Sequence, residues 1–288
     1  MFGFQRIGDL AWAAGDQRAR GFLIGGTAGR TTLNGEGLQH EDGHSLVQAG
    51  LIPNCEAYDP TFAYELAVII QHGLQEMYVE NQDKYYYVTV MNENYTQPAM
   101  PKNAEKGIIA GAYLFDTVMT TVKKAPVVNL MGSGTIFRES IAAAHILSEK
   151  YGVKVNLIAA LGLNKLHREA MSLSRSNRYN LEKKETHLTK LLNSLDGVLT
   201  VATTDYIRIY AEQVREQVPH KYVVLGTDGF GRSDYRRTLR EYFEVNAKHI
   251  VYTTLFALYE QGLVAETVVK KAIKDLEIDT KRANPWTE

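Results

Sequence analysis

Short apolar runs rich in β-branched or aromatic residues alternate with amphipathic segments along this chain, and that alternation restricts the fold more than any single motif. Phe22–Gly26, Tyr85–Met91, Val127–Met131, Val155–Ala159, Val198–Ala202 and Tyr222–Leu225 read as buried strands. Between them, helical spacing runs through Phe2, Phe4, Ile7, Leu10, Ala11 and Ala14, then through Leu66, Ile69, Ile70, Leu74 and Met77. Further helices are predicted over Thr135–Tyr151, Tyr206–Val218, Tyr235–Phe243 and Val264–Leu276. Strand and helix in turn predict an α/β fold on a largely parallel sheet. Pro98 and Pro101 mark the best boundary, giving domains over residues 1–100 and 101–288. Residues 163–187 are polar and weakly periodic, and a variable loop is expected there.

Composition narrows the function classes. A formal net charge of -1 gives no electrostatic reason to expect nucleic acid or an anionic membrane surface as partner. Cys55 is the single cysteine, so no intrachain disulfide can form. No apolar run approaches the roughly 18 residues needed to span a bilayer, and the first residues lack the basic-then-apolar order of a signal peptide. A soluble, cytoplasmic protein is expected.

The chemistry concentrates between Thr31 and His44. Glu36, Glu41, Asp42, His40 and His44 fall within nine residues, spaced by Gly35, Gly37 and Gly43. The glycines predict an irregular loop. Crowding titratable groups is costly, and sites that tolerate the cost are commonly sites where protons move. His40-Glu-Asp-Gly-His44 matches the zinc-protease pattern in letters only. That motif works on a helix, and glycines within and before it oppose one; no metal ligand is assigned.

Other glycine-rich turns carry less. Gly132-Ser-Gly-Thr-Ile-Phe137 has half a dinucleotide fingerprint, with Phe137 where the third glycine belongs. Gly21–Gly26 has P-loop spacing, but Thr27 stands where lysine is required. Gly226–Gly231 reads as a structural or interfacial turn, and His72, His145, His187 and His249 as ordinary core or surface residues.

The stretch Gly25-Gly-Thr-Ala-Gly-Arg-Thr-Thr-Leu-Asn-Gly-Glu-Gly-Leu-Gln-His-Glu-Asp-Gly-His-Ser45 resembles the homodimeric family of pyruvate dehydrogenase E1 components. So do Ile52-Pro-Asn-Cys55, Tyr58-Asp-Pro60, Asn92-Glu-Asn-Tyr95, Pro98-Ala-Met-Pro101 and Leu225-Gly-Thr-Asp-Gly-Phe-Gly-Arg-Ser-Asp234, and the likeness runs from Phe2 to about Pro285. Family members are much longer, and this sequence resembles their carboxy-terminal third. The resemblance implies the end of a pyrimidine-binding thiamine-diphosphate domain followed by a transketolase C-terminal-like α/β domain. It implies oxidative decarboxylation of pyruvate with acetyl transfer to a lipoyl-bearing E2 partner, in a homodimer. Thiamine diphosphate and magnesium would be anchored mainly by a domain upstream of Met1, together with the glutamate that protonates the aminopyrimidine ring.

By the same resemblance His40 and Glu36 face the reacting centre, Phe2 stacks on the aminopyrimidine ring, and Glu41, Asp42 and His44 brace the loop. An imidazole titrates near neutrality, which suits proton exchange with substrate oxygens. Leu46 stands where the family commonly has histidine, and Thr96-Gln97 replaces a His-Met pair, which touches fine positioning rather than the two acid–base residues. The chain alone is expected to be inactive and to present apolar surface at Phe2, Phe4 and Trp12. Two alternatives remain: a non-catalytic assembly or remnant module of the same fold, and transketolase-like two-carbon transfer. The second is opposed by His-Glu-Asp-Gly-His-Ser where transketolases read Gly-Glu-Asp-Gly-Pro-Thr-His.

Overall fold

The computed structural model describes residues 3–287. Its elements run α1 (Gly3–Asp16), β1 (Phe22–Gly25), α2 (Ser45–Leu51), β2 (Cys55–Tyr58), α3 (Ala63–Leu74), β3 (Tyr85–Thr89), α4 (Glu105–Ala110), β4 (Tyr113–Val118), β5 (Val127–Gly132) and α5 (Phe137–Tyr151). They continue β6 (Lys154–Ala159), α6 (Leu163–Asn180), α7 (His187–Asn193), β7 (Leu199–Thr203), α8 (Ile209–Glu212), β8 (Lys221–Leu225), α9 (Arg236–Tyr242), α10 (Ala247–Glu260) and α11 (Glu266–Asp275).

β3 is buried along its whole length, as a run of aromatic and β-branched residues demands, and it lies central in a parallel sheet ordered β1–β3–β2. A second sheet is ordered β4–β6–β5–β7–β8, parallel except for β4, which pairs antiparallel with β6. Leu130, Val155, Leu157 and Val201 from this sheet pack with Phe137, Leu147, Ile250 and Leu255 from α5 and α10 in one apolar cluster.

Three expectations need correction. Residues 163–187 are mostly helix: α6 spans 18 residues although only Leu163, Asn164 and Leu166 are buried. Docking replaces the missing apolar stripe, because Arg168 donates to the carbonyls of Cys55 (2.6 Å), Gly50 (3.2 Å) and Ile52 (2.5 Å) at the end of α2. The helix predicted over Tyr206–Val218 is broken into α8 and a 3₁₀ turn over Arg215–Gln217. The break falls where Gln213 donates its amide to the Tyr210 carbonyl (2.7 Å) and the Val214 N–H turns to the Ala211 carbonyl three residues back (3.4 Å). Finally, Phe4 is buried, its ring edge-on to Tyr87 at 4.7 Å, while Trp12 is exposed. The helix predicted from Leu66 through Met77 is borne out, with a difference: α3 passes into a π turn over Gln75–Val79. That turn sets Glu76 against Lys84 at 2.7 Å and beneath the Tyr86 hydroxyl.

The two sheets meet through buried carboxylates. Asp59, just past β2, accepts from Thr89 Oγ1 (2.5 Å), Ser133 Oγ (2.6 Å) and the Tyr206 hydroxyl (3.2 Å), and its carbonyl accepts from the Gly134 N–H. It thereby fills the crevice beyond the ends of β5 and β7. Glu65 on α3 accepts from the N–H groups of Thr61 (2.6 Å) and Phe62 (2.9 Å) and from Tyr113 OH on β4 (2.6 Å). Burial pushes Asp59 up to about 6 and Glu65 up to about 7, against the hydrogen bonds that favour their charged forms.

A carboxyl whose folded pKa is raised binds more protons folded than unfolded, so it loses stability as pH rises from its unfolded value to its folded one. For Glu65 that window runs from about 4.5 to about 7. Glu65→Gln, which mimics the protonated acid, is expected to melt progressively higher than the parent chain as pH rises through that window. Thermal melts at half-unit pH steps test this; a constant difference between the two chains would refute it.

The segment after β1 is pinned to the second sheet. The Thr31 N–H (2.9 Å), Thr31 Oγ1 (2.6 Å) and Thr32 Oγ1 (2.7 Å) all donate to the buried Asp205 carboxylate after β7, whose carbonyl accepts from the Arg30 N–H. The Arg30 guanidinium donates to the carbonyls of Thr227 and Gly229 (2.7 Å for the latter). Gly43 lies over that guanidinium so closely that a Cβ there would stand 2.0 Å from Arg30 Nη2. Gly43→Ala should therefore cost about 1–3 kcal/mol of stability by overpacking. Gly8→Ala on α1, where a Cβ meets nothing within 4 Å, should be neutral or slightly stabilising. Denaturant titration of both variants decides it; equal stabilities would mean that Arg30 is not fixed.

Candidate functional site

Between the Arg30 anchor and α2 the chain turns through the acidic loop. Apart from one 3₁₀ turn over Leu38–His40 it has no regular structure, and a helix begins only at Ser45. Gly35, at φ +68, takes a left-handed conformation that suits glycine. A zinc-protease helix through His40 and His44 is thus not formed, and among the described residues no group of three or more His, Cys, Asp or Glu side chains is placed to hold a metal.

The loop has an inner and an outer side. On the inner side, Asp42 caps α2: it accepts from the N–H groups of His44 (3.3 Å) and Ser45 (3.0 Å) and from Ser45 Oγ. His44 meets the Gln5 side-chain amide of α1 at 2.5 Å, and burial lowers its pKa. Both residues brace the loop. Glu41 is buried with neither carboxylate oxygen hydrogen-bonded. It packs on Gly231, where a Cβ would come within 2.4 Å of Glu41 Cβ. Burial, reinforced by the Asp205 charge, raises Glu41 to about 8, so at neutral pH it is largely a neutral acid. Burial likewise lowers Arg30, against the opposing charges of Asp42, Asp205, Asp228 and Glu41.

On the outer side, Glu36 is exposed and His40 is half-buried. The loop thus leaves the two predicted acid–base residues accessible to solvent while its remaining acids, Glu41 and Asp42, are buried. Phe2 lies outside the described residues. The wall behind the loop is the glycine-rich turn Gly226–Gly231, read from the sequence as structural or interfacial without a partner named: Thr227 and Gly229 hold Arg30, Gly231 backs Glu41, and just beyond it the Asp234 carbonyl accepts from the Gly35 N–H (3.1 Å). Arg236 adds a bond to the Thr32 carbonyl, and its N–H donates to Asn34 Oδ1 (2.9 Å). The density of glycine there, with an aspartate at each end, was the available sign of two loops in close approach.

An exposed carboxylate and a half-buried imidazole on one pinned loop can each exchange protons with a ligand laid against them. The glycine turn at Gly21–Gly26 lacks the lysine of a phosphate cradle, so the anchoring of a diphosphate is not assigned to it.

Comparison with known proteins agrees with this architecture. Residues 1–98 match the family model of the pyruvate dehydrogenase E1 component middle domain, and residues 111–246 match that of the transketolase-like TK C-terminal domain. The chain is 54% identical to the pyruvate dehydrogenase E1 component of Pseudomonas aeruginosa and 51% identical to that of Escherichia coli K12, in each case over 99% of this chain and 32% of the relative. It therefore spans about a third of the length of these relatives. A transketolase from Campylobacter jejuni shares the fold, with a TM-score of 0.63 at 17% identity over 88% of this chain and 34% of the other. The chain belongs to the pyruvate dehydrogenase E1 family, of which it represents the part formed by the middle and transketolase-like C-terminal regions.

Proposed function

We propose that this chain supplies the proton-handling wall of a thiamine-diphosphate-dependent pyruvate dehydrogenase, with His40 and Glu36 as its catalytic residues. The observation that supports the reading is that Glu36 is exposed and His40 half-buried on a loop pinned through Arg30, Asp205 and Gly43. Thiamine diphosphate, when bound, supplies the carbanion chemistry that decarboxylation needs. His40 gives and takes protons at the substrate oxygens, and Glu36 orients the imidazole or holds a proton itself. Phe2 offers a flat apolar face to the aminopyrimidine ring. Asp42 ties the loop to the start of α2 and His44 ties it to α1, which steadies the backbone that carries His40.

The same reading assigns the diphosphate and magnesium anchors to the part of the longer relatives that this chain does not cover. It takes residues 1–100 as the end of the pyrimidine-binding domain and 101–288 as the transketolase-like domain. The working form is a cytoplasmic homodimer whose acetyl acceptor is a lipoyl-bearing E2 component.

Two outcomes follow. The 288-residue chain, supplied with magnesium, thiamine diphosphate and pyruvate, is expected to release no carbon dioxide; turnover by it would overturn the division of labour. In a protein extended to the full length of the relatives, His40→Ala should lower kcat by about 100- to 10,000-fold with little change in cofactor affinity. Glu36→Gln should follow the same pattern less steeply, since it keeps shape and hydrogen bonding. Steady-state turnover measured beside a cofactor titration separates the two effects, and unchanged kcat in His40→Ala would reduce the loop to scaffolding.

A further inference from the structure

Away from the acidic loop, α6 and the Glu212–Gln217 segment enclose a groove of about 560 Å³, the α6 wall being His167, Ala170, Met171, Ser174, Arg175 and Arg178. Their spacing of three and four places one continuous stripe along three turns, about 16 Å at 1.5 Å per residue. That length suits an extended segment of about five residues.

The charges in the groove are unequal. Arg215 is committed to Glu212 through two bonds (2.6 and 2.8 Å) and to the Tyr222 carbonyl (2.9 Å), so that pair is internally neutral. Arg175 and Arg178 are different: both lie against the Tyr179 ring, at 4.7 and 5.9 Å, and no acidic side chain among the described residues pairs with either. They outnumber the one remaining acid of the groove, Glu216. Residues 165–184 carry six Lys or Arg against two acids, in a chain whose net charge is -1. Apolar side chains stand beside the free cations. Met171 is 54% exposed, Tyr179 69% and Leu181 93%, and Leu181 is held outward by a left-handed backbone (φ 54) that closes the helix.

We propose that this groove docks an acidic, leucine-bearing segment of a partner protein, its carboxylates on Arg175 and Arg178 and its apolar side chains on Met171. Unpaired guanidiniums select carboxylates, and the adjoining thioether and exposed apolar side chains favour a peptide over a purely polyanionic ligand. The proposal is independent of the decarboxylase reading.

The probe is a fluorescein-labelled ten-residue peptide alternating leucine and glutamate, titrated by anisotropy against the intact 288-residue chain at low and at 0.5 M salt, where the Debye length is roughly half its physiological value of about 8 Å. Saturable one-to-one binding that weakens with salt is expected. Arg175→Ser with Arg178→Ser should weaken it by roughly 5- to 20-fold without moving the melting temperature, because both side chains are exposed. Met171→Ser should weaken the leucine–glutamate peptide but not a polyglutamate of equal charge. The proposal is overturned by absence of saturable binding, by equal binding to the double variant, or by a single-stranded oligonucleotide of equal charge binding as tightly as the peptide.

Discussion

A carboxylate taken out of water needs its lone pairs filled, and Asp205 fills them only when the end of β7 and the segment after β1 lie within hydrogen-bond reach. Thr31 and Thr32 supply the donors, which fixes where the acidic loop leaves the first sheet. Arg30, drawn in beside them, then has two carbonyls of the β8–α9 turn to satisfy, which fixes where that turn lies. The course of the loop that carries Glu36 and His40 is therefore decided by buried groups at its root.

Much of the fold was legible because the strands of both sheets are short apolar runs whose partners are also strands. The central β3 announces itself in three successive tyrosines. What escaped notice depended on distant contacts. Nothing local in Leu163–Asn180 marks a helix of that length, since its support comes from Arg168 reaching carbonyls more than a hundred residues away in sequence. Conversely, Tyr206–Val218 has helical spacing, yet the Gln213 side chain takes the Tyr210 carbonyl to which the Val214 N–H would have bonded. The strands β2 and β4 are short and were not separated from their surroundings, β4 because an antiparallel edge carries mixed residues.

The loop itself was legible in part. Its irregular backbone follows from three glycines, and the structure confirms that. Which of its acids turn inward does not follow from composition. Asp42 and Glu41 are adjacent and chemically alike, but one meets the free N–H groups of α2 while the other meets Gly231 and no donor. The first is a cap and the second a neutral acid at pH 7, a distinction made entirely by what stands opposite.

Asp59 has a consequence for the second sheet. In an order β6–β5–β7–β8 the crevice between the ends of β5 and β7 is where such sheets ordinarily receive a ligand. Here a side chain from the other sheet sits in it, bonded to Ser133 and Tyr206, with the Gly134 N–H spent on its carbonyl. The first sheet thus acts as a resident ligand of the second. Any molecule that entered the crevice would have to displace Asp59 from Ser133 and Tyr206, and so would compete with the joint that holds the two sheets together.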